Sequence, residues 1–165
     1  MDTQHPSEDR LTTVAREYCD YIESLDIQEY PLEFTPILTK LSQLLPRLHA
    51  SIAILADNGG SEDFASNIDL ERRFKLYSRL RNLLGEMDAY WMEFDVARDG
   101  QEMSGSLADD LTDIYWELKL GLQGLDKSAN LAPTLKSWGV GYRLHWGQHL
   151  IDAERHLYAL QVRRS

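Results

Sequence analysis

Leu84-Gly85-Glu86-Met87-Asp88-Ala89-Tyr90-Trp91-Met92-Glu93-Phe94-Asp95, a polar connection, and then Ser106-Leu107-Ala108-Asp109-Asp110-Leu111-Thr112-Asp113-Ile114-Tyr115-Trp116-Glu117-Leu118-Lys119-Leu120 are the runs on which the fold turns. In the second run Leu107, Leu111, Ile114 and Leu118, continued by Leu122 and Leu125, return at steps of three and four, the period of an amphipathic helix. Ser106 precedes it as a capping hydroxyl, with Asp109 three residues on in the place a capping box gives to Glu or Gln. In the first run Leu84, Met87 and Trp91 prolong a stripe that starts at Leu70, Phe74, Tyr77 and Leu80. A third helix is therefore expected to pass through Trp91, with a loop over 95–105 before the fourth. Aromatic residues and carboxylates crowd both sides of that connection, where a site or a specialised contact surface is expected.

The same period extends outward in both directions. Ser7, Glu8 and Asp9 read as a capped, acidic helix start, and Leu11, Val14, Tyr18, Ile22 and Leu25 draw one apolar face behind them. Thr35 before Pro36 starts a second helix with Ile37, Leu38, Leu41, Leu44, Leu45, Leu48, Ile52 and Leu55 on its face. Pro46 lies inside that run and removes an internal hydrogen bond, so a kink or a break is expected there, and the pattern resumes in phase, which favours the kink. Turn residues fill 57–67. Downstream, a polar link over 124–132 leads to Pro133 and a last helix with Trp138, Tyr142, Trp146, His149, Ala153, Leu157 and Leu160 on one face. Gly139, Gly141 and Gly147 weaken that helix and point to a late start or to a neighbour approaching closely. No strand alternation of useful length is visible. The expected fold is an all-α antiparallel bundle of five main helices, the second kinked or broken at Pro46, forming a single domain over 1–165.

Composition limits the partners. A chain of 165 residues with 43% apolar content can bury a core without disulfides or metals. A formal net charge of -10 repels nucleic acid and anionic membranes and leaves neutral or basic protein partners, with a homo-oligomer open as a separate possibility. Cys19 is the only cysteine, the N-terminal residues lack an apolar leader core, and no run reaches the roughly 20 apolar residues of a membrane span, so a cytoplasmic setting is expected. Cys19 itself reads as a small packed hydrophobe.

Counting about 100° per residue along the fourth helix puts Asp110 and Glu117 together at one margin of its apolar face, with Asp113 slightly further round. On the last helix the same count gathers His145, His149 and His156, with Asp152 beside them. Were the two margins to face each other, His145 and His149 could bind one divalent ion completed by a fourth-helix carboxylate, with His156 too far along to share it. The plainer reading is histidines hydrogen-bonded to carboxylates or carbonyls across a helix interface. Asp88, on the core side of the expected third helix, needs a donor such as Arg81 or a tyrosine hydroxyl. Trp116 points away from the apolar stripe, either covered by another helix or offered to a partner with Asp109 nearby. Arg72, Arg73, Lys75 and Arg79 read as a solvated or salt-bridged face. Phosphate-binding glycine loops, a nucleophile elbow and His-Glu-x-x-His are missing.

Together, Leu-Leu-Pro-Arg-Leu in the second helix, the two opening runs, and Trp-Gly-Gln-His-Leu-Ile-Asp-Ala in the last helix resemble the bacterial domain-of-unknown-function family DUF5063 over most of the chain. The resemblance implies an all-helical fold and brings no established activity, cofactor or partner. Its characteristic words cover Glu86, Asp88, Trp91, Asp109, Asp110, Asp113, Trp146 and His149. His145 and His156 fall outside them, which sharpens the metal reading to a mixed site around His149, Asp88 and the fourth-helix acids. The reading adopted is a non-catalytic acidic helical module, without a cofactor, that binds a protein partner through its acidic surface, Trp116 and Asp109. The alternative is an enzyme dependent on a divalent metal ion, with His149, Asp88, Asp110, Asp113 and His145 as candidate ligands between the third, fourth and last helices.

Overall fold

The structure, a computed structural model, describes residues 6–28, 32–55, 68–92 and 103–163, so the turn expected over 57–67 lies outside the described residues. Helices α1 (Pro6–Ile27) and α2 (Phe34–Leu55) come first, then α3 (Leu70–Leu84) and a short 3-10 turn, Gly85–Met87. Strands β1 (Ala89–Met92) and β2 (Met103–Ser106) follow, then α4 (Leu107–Ser128). The last rod has three parts: α5 (Leu131–Gly141), a π-helical stretch (Tyr142–Trp146) and α6 (Gly147–Arg163). The chain is thus an all-α antiparallel bundle of five helical rods carrying a small hairpin. No helix among the described residues is long and apolar enough to cross a membrane.

Helix α2 passes through Pro46 without ending, so the break is not adopted. Two expectations around the opening runs are corrected. First, α3 stops at Leu84, because Gly85 takes φ 54° and ψ -125°, a conformation closed to residues with a Cβ, and a two-stranded antiparallel hairpin replaces the expected helix through Trp91. Second, α3 buries Leu76, Leu80 and Leu84, while Leu70, Phe74 and Trp91 face solvent. Two apolar stripes overlap at Leu80 and Leu84, and treating Met87 and Trp91 as helical selects the wrong one. Polar forces decide the rotation: Arg73 turns inward to Asp109 and Asp113 on α4, which carries Phe74 outward.

Helix α4 is the central rod, packed against α1, α3, α5 and α6. Its Leu107, Leu111, Ile114, Leu118 and Leu122 are buried as the period requires, and so are Leu11, Val14, Tyr18, Ile22 and Leu25 on α1. Tyr18 sends its hydroxyl to the Leu111 carbonyl at 2.7 Å, so even the core phenol is satisfied. The close approach foreshadowed by the glycines of the last helix occurs on its neighbour. A Cβ at Gly121 on α4 would lie 2.2 Å from the Trp138 indole nitrogen, and that gap lets Trp138 donate to the Glu117 carbonyl at 3.1 Å. Trp146 in turn donates to the Trp138 carbonyl at 3.2 Å. Both indoles are fully buried, and truncation of either costs about 3–5 kcal/mol. Cys19 packs as expected, with burial pushing its thiol up to about 12.

Candidate functional site

Asp88 sits at the turn between α3 and β1 and is buried. Its donors are neither Arg81 nor a tyrosine. Ser106 donates its hydroxyl to the carboxylate at 2.8 Å, and the Ala108 amide donates at 2.7 Å. The Asp88 carbonyl also accepts from the Leu107 amide at 2.9 Å. Ser106 Oγ accepts from the Asp109 amide at 3.2 Å, so two side chains together close the first turn of α4. The Asp109 carboxylate departs from the capping-box pattern: Arg73 Nη2 donates to it at 2.7 Å.

The acidic margin of α4 and the histidine margin of the last rod do face each other. His149 lies between two carboxylates, with Nδ1 2.8 Å from Asp110 Oδ1 and Nε2 3.0 Å from Asp113 Oδ2. The other Asp113 oxygen accepts from Arg73 Nε at 2.8 Å, and Asp110 accepts from the Tyr90 hydroxyl. His145 extends the cluster, with Nδ1 3.2 Å from Glu117 Oε1 and Nε2 3.8 Å from Asp113 Oδ2. Charges therefore alternate from Asp109 through Arg73, Asp113 and His149 to Asp110. Burial works against an imidazolium at His149, but its bonds to Asp110 and Asp113 outweigh burial and raise it to about 10. Burial likewise opposes ionised Asp113, yet the hydrogen bonds from His149 and Arg73 hold it at about 2. Asp110 goes the other way: burial dominates over His149 and Tyr90 and lifts it to about 6, and burial also pushes Glu117 up.

His156 stands apart, as its position along the helix requires. Its Nε2 donates to the Met87 carbonyl at 2.7 Å, and its ring centre is 4.7 Å from that of Tyr90, fixing the hairpin to α6. Burial lowers its pKa, so the ring is kept neutral. Tyr90 reaches Asp110 because it is paired with Gly105 across the hairpin, where a Cβ would fall 2.2 Å from the phenol ring. Of the basic run, Arg73 pairs with Asp109 and Asp113, Arg72 with Asp69, Lys75 with Glu71, and Arg79 with Asp26, a salt-bridged face as expected.

Two concave surfaces adjoin these residues. A cleft of about 480 Å³ has Asp88, Tyr90, Asp109, Asp110, His149 and Asp152 among its walls. On another side of α4, a groove of about 880 Å³ runs between the end of α1 and the outer face of α3, with Trp116 in its wall beside Ile27, Phe74 and Arg79. Trp116 is half-buried, edge-on to Tyr115 at 5.1 Å, and its indole nitrogen is buried with no acceptor among the described residues. Asp109, ion-paired to Arg73, lines the cleft and not this groove.

Sequence spacing located Asp110, Asp113, Glu117, His145 and His149 but missed Arg73 and Tyr90. Arg73 carried a signal, because at about 100° per residue it is the basic residue of its run that falls nearest the direction shared by Leu76, Leu80 and Leu84. Tyr90 carried none, because its reach depends on the hairpin. A further pair also went unread: His49 on α2, with Nδ1 2.7 Å from Glu154 and Nε2 3.1 Å from the Tyr142 hydroxyl.

Fold and site together define an all-α bundle with a buried histidine–carboxylate cluster between its central and last rods. The chain belongs to the family described as Domain of unknown function (DUF5063), whose profile matches residues 5–163. Among solved structures it is similar to the crystal structure of protein BF1032 from Bacteroides fragilis, at 21% identity over 94% of this chain and 92% of that one, with a TM-score of 0.73. That likeness shows the fold alone. No curated protein matches the chain.

Proposed function

We propose that this protein is a non-catalytic helical module that binds an extended segment of a partner protein in the groove beside Trp116. The observation that carries this reading is the Trp116 indole N–H, buried without an acceptor among the described residues, on a ring that lines a groove of about 880 Å³. A buried donor left unpaired costs about 1–3 kcal/mol, and a small rotation of the half-buried Trp116 ring that opens its N–H to a peptide carbonyl in the groove removes that cost. Ile27 and Phe74, 79% and 65% exposed at the same groove, supply apolar contact where a soluble surface would ordinarily place polar side chains. Arg79 and Asp26, ion-paired to each other on its wall, offer one group of each sign to orient a main chain. The formal charge of -10 favours neutral or basic segments over acidic ones.

The test is selection of displayed random peptides on the intact chain, followed by affinity measurement with two variants. Phe74→Asp, at an exposed position, should abolish binding of the selected peptides. Trp116→Phe keeps a smaller aromatic ring and loses the donor, and should weaken binding about tenfold or more, the worth of one hydrogen bond plus some contact area. Peptides that bind both variants as tightly as the original chain would refute the groove as the binding surface.

A further inference from the structure

We infer that His145, His149 and Asp113 form a binding site for one divalent transition-metal ion of the zinc type. The inference is independent of the Trp116 groove and rests on where the ligand atoms point. Nε2 of His149 and Nε2 of His145 converge on the same carboxylate oxygen, Asp113 Oδ2, at 3.0 and 3.8 Å. One ligand atom from each of the three residues lies within 4.8 Å of the others. Ligands held at about 2.0–2.1 Å around a tetrahedral ion are roughly 3.3 Å apart, so small side-chain adjustments bring all three into coordination.

The surroundings are those of metal-bound histidine. An imidazole that ligates through one nitrogen commonly donates the other N–H to a carboxylate, which fixes the ring and makes it a better ligand. Here both histidines have such a partner: Asp110 2.8 Å from Nδ1 of His149, and Glu117 3.2 Å from Nδ1 of His145. Asp113 is matched too, since Arg73 holds Oδ1 at 2.8 Å and leaves Oδ2 facing the histidines. Arg73 is shared between Asp109 and Asp113, and Asp110 and Glu117 stand behind the two imidazoles, so carboxylates outnumber the cations of this mostly buried cluster. A divalent ion bound at His149 Nε2 displaces to solvent the proton that now bonds Asp113 and puts two positive charges in place of one.

Donor chemistry selects the ion. Two imidazoles and one carboxylate suit zinc and its neighbours, whereas magnesium and calcium require more oxygen ligands. Access is open on one side, because the His145 side chain is 34% exposed. A second grouping, Asp109, Asp110 and His149, is also close enough to share an ion. It is the weaker set, because Arg73 takes the Asp109 oxygen, while Asp110 is already bonded to His149 and Tyr90. Asp88, committed to Ser106 and Ala108, takes no part.

The experiment uses the full chain, purified without a polyhistidine tag and stripped with EDTA, titrated calorimetrically with zinc chloride and in parallel with magnesium chloride. One zinc per chain and no magnesium uptake are expected. His145→Ala, at a partly exposed position, should lower zinc affinity at least a hundredfold, and His149→Ala should do the same. Glu117→Gln should lower it about tenfold or more by removing the charge behind His145. His49→Ala should bind zinc as the original chain does, which separates this site from adventitious uptake at the His49–Glu154 pair. Cobalt chloride should give a visible ligand-field band that disappears in His145→Ala. Absence of stoichiometric zinc uptake, or uptake left unchanged by His145→Ala and His149→Ala, would overturn the inference. If His149→Ala does not fold, as circular dichroism would show, His145→Ala and Glu117→Gln decide the matter.

Discussion

Replacing Asp88 with alanine removes the carboxylate that closes the first turn of α4, the central rod of the bundle. Two donors lose their acceptor: the fully buried Ala108 amide, now 2.7 Å from Asp88 Oδ1, and the Ser106 hydroxyl. A buried donor left unpaired costs about 1–3 kcal/mol, and loss of a helix cap typically costs about 1 kcal/mol. The Ser106 hydroxyl can rotate toward the adjoining cleft and recover part of its loss, so the net effect is roughly 3 kcal/mol. For a domain of this length each kcal/mol moves the thermal midpoint by about 2–4 °C, which places the drop at roughly 6–12 °C. Asparagine keeps a carbonyl oxygen for the Ala108 amide, so Asp88→Asn should lose only about 1 kcal/mol. Urea unfolding followed by far-UV circular dichroism, with calorimetry for the midpoint, gives both numbers. An alanine variant within 1 kcal/mol of the original chain would refute the claim that Asp88 is the cap of α4.

Gly105→Ala should displace the Tyr90 ring, whose nearest atoms stand 2.2 Å from the new Cβ, and break its bond to Asp110. A loss of about 1–3 kcal/mol in urea unfolding is expected, largely relieved when Tyr90→Ala is added; an additive double variant would show that the ring is not the obstacle. His156 gives a pH dependence of known sign. Its folded pKa is depressed, so between 6.5 and that lower value the unfolded chain takes up a proton that the folded chain does not, and stability falls on acidification below 6.5. His156→Gln, which can still donate to Met87, should lose less stability than the original chain between pH 6.5 and 5, and equal slopes would contradict the neutral ring.

Much of the bundle was legible because its core is periodic. On α1, α2 and α4 each apolar stripe has one clear phase, and nearly every residue on those stripes is buried. The failure at α3 has a physical cause: Leu70 and Phe74 are apolar yet exposed, and an arginine, Arg73, occupies the inward position because two aspartates wait for it on another helix. Hydrophobic counting cannot register a long-range ion pair. Strands of four residues are equally hard to read, since the decisive signals were a single glycine at 85 and a second at 105 opposite Tyr90. At the candidate site the angular count placed Asp110, Asp113 and Glu117 on one margin and His145 and His149 on the other. It could not foresee that Asp88 would turn to Ser106 and Ala108.

The π-helical stretch from Tyr142 to Trp146 acts as a change of phase in the last rod. Each residue of an α-helix advances the side-chain direction by about 100°, so accommodating one extra residue in a widened turn rotates everything beyond it by about that angle relative to what precedes it. Gly147 completes the turn by donating its amide to the Tyr142 carbonyl, at a spot where a Cβ would lie 2.3 Å from that oxygen. The two halves of the rod thereby gain separate alignments: Trp138 meets Gly121 in one, and His149 meets Asp110 and Asp113 in the other. Deleting a single residue between 142 and 146 would leave a more regular helix but swing His149, Ala153, Leu157 and Leu160 away from their neighbours. Helical regularity and correct alignment are therefore opposed at this point of the chain, and the fold has kept the alignment.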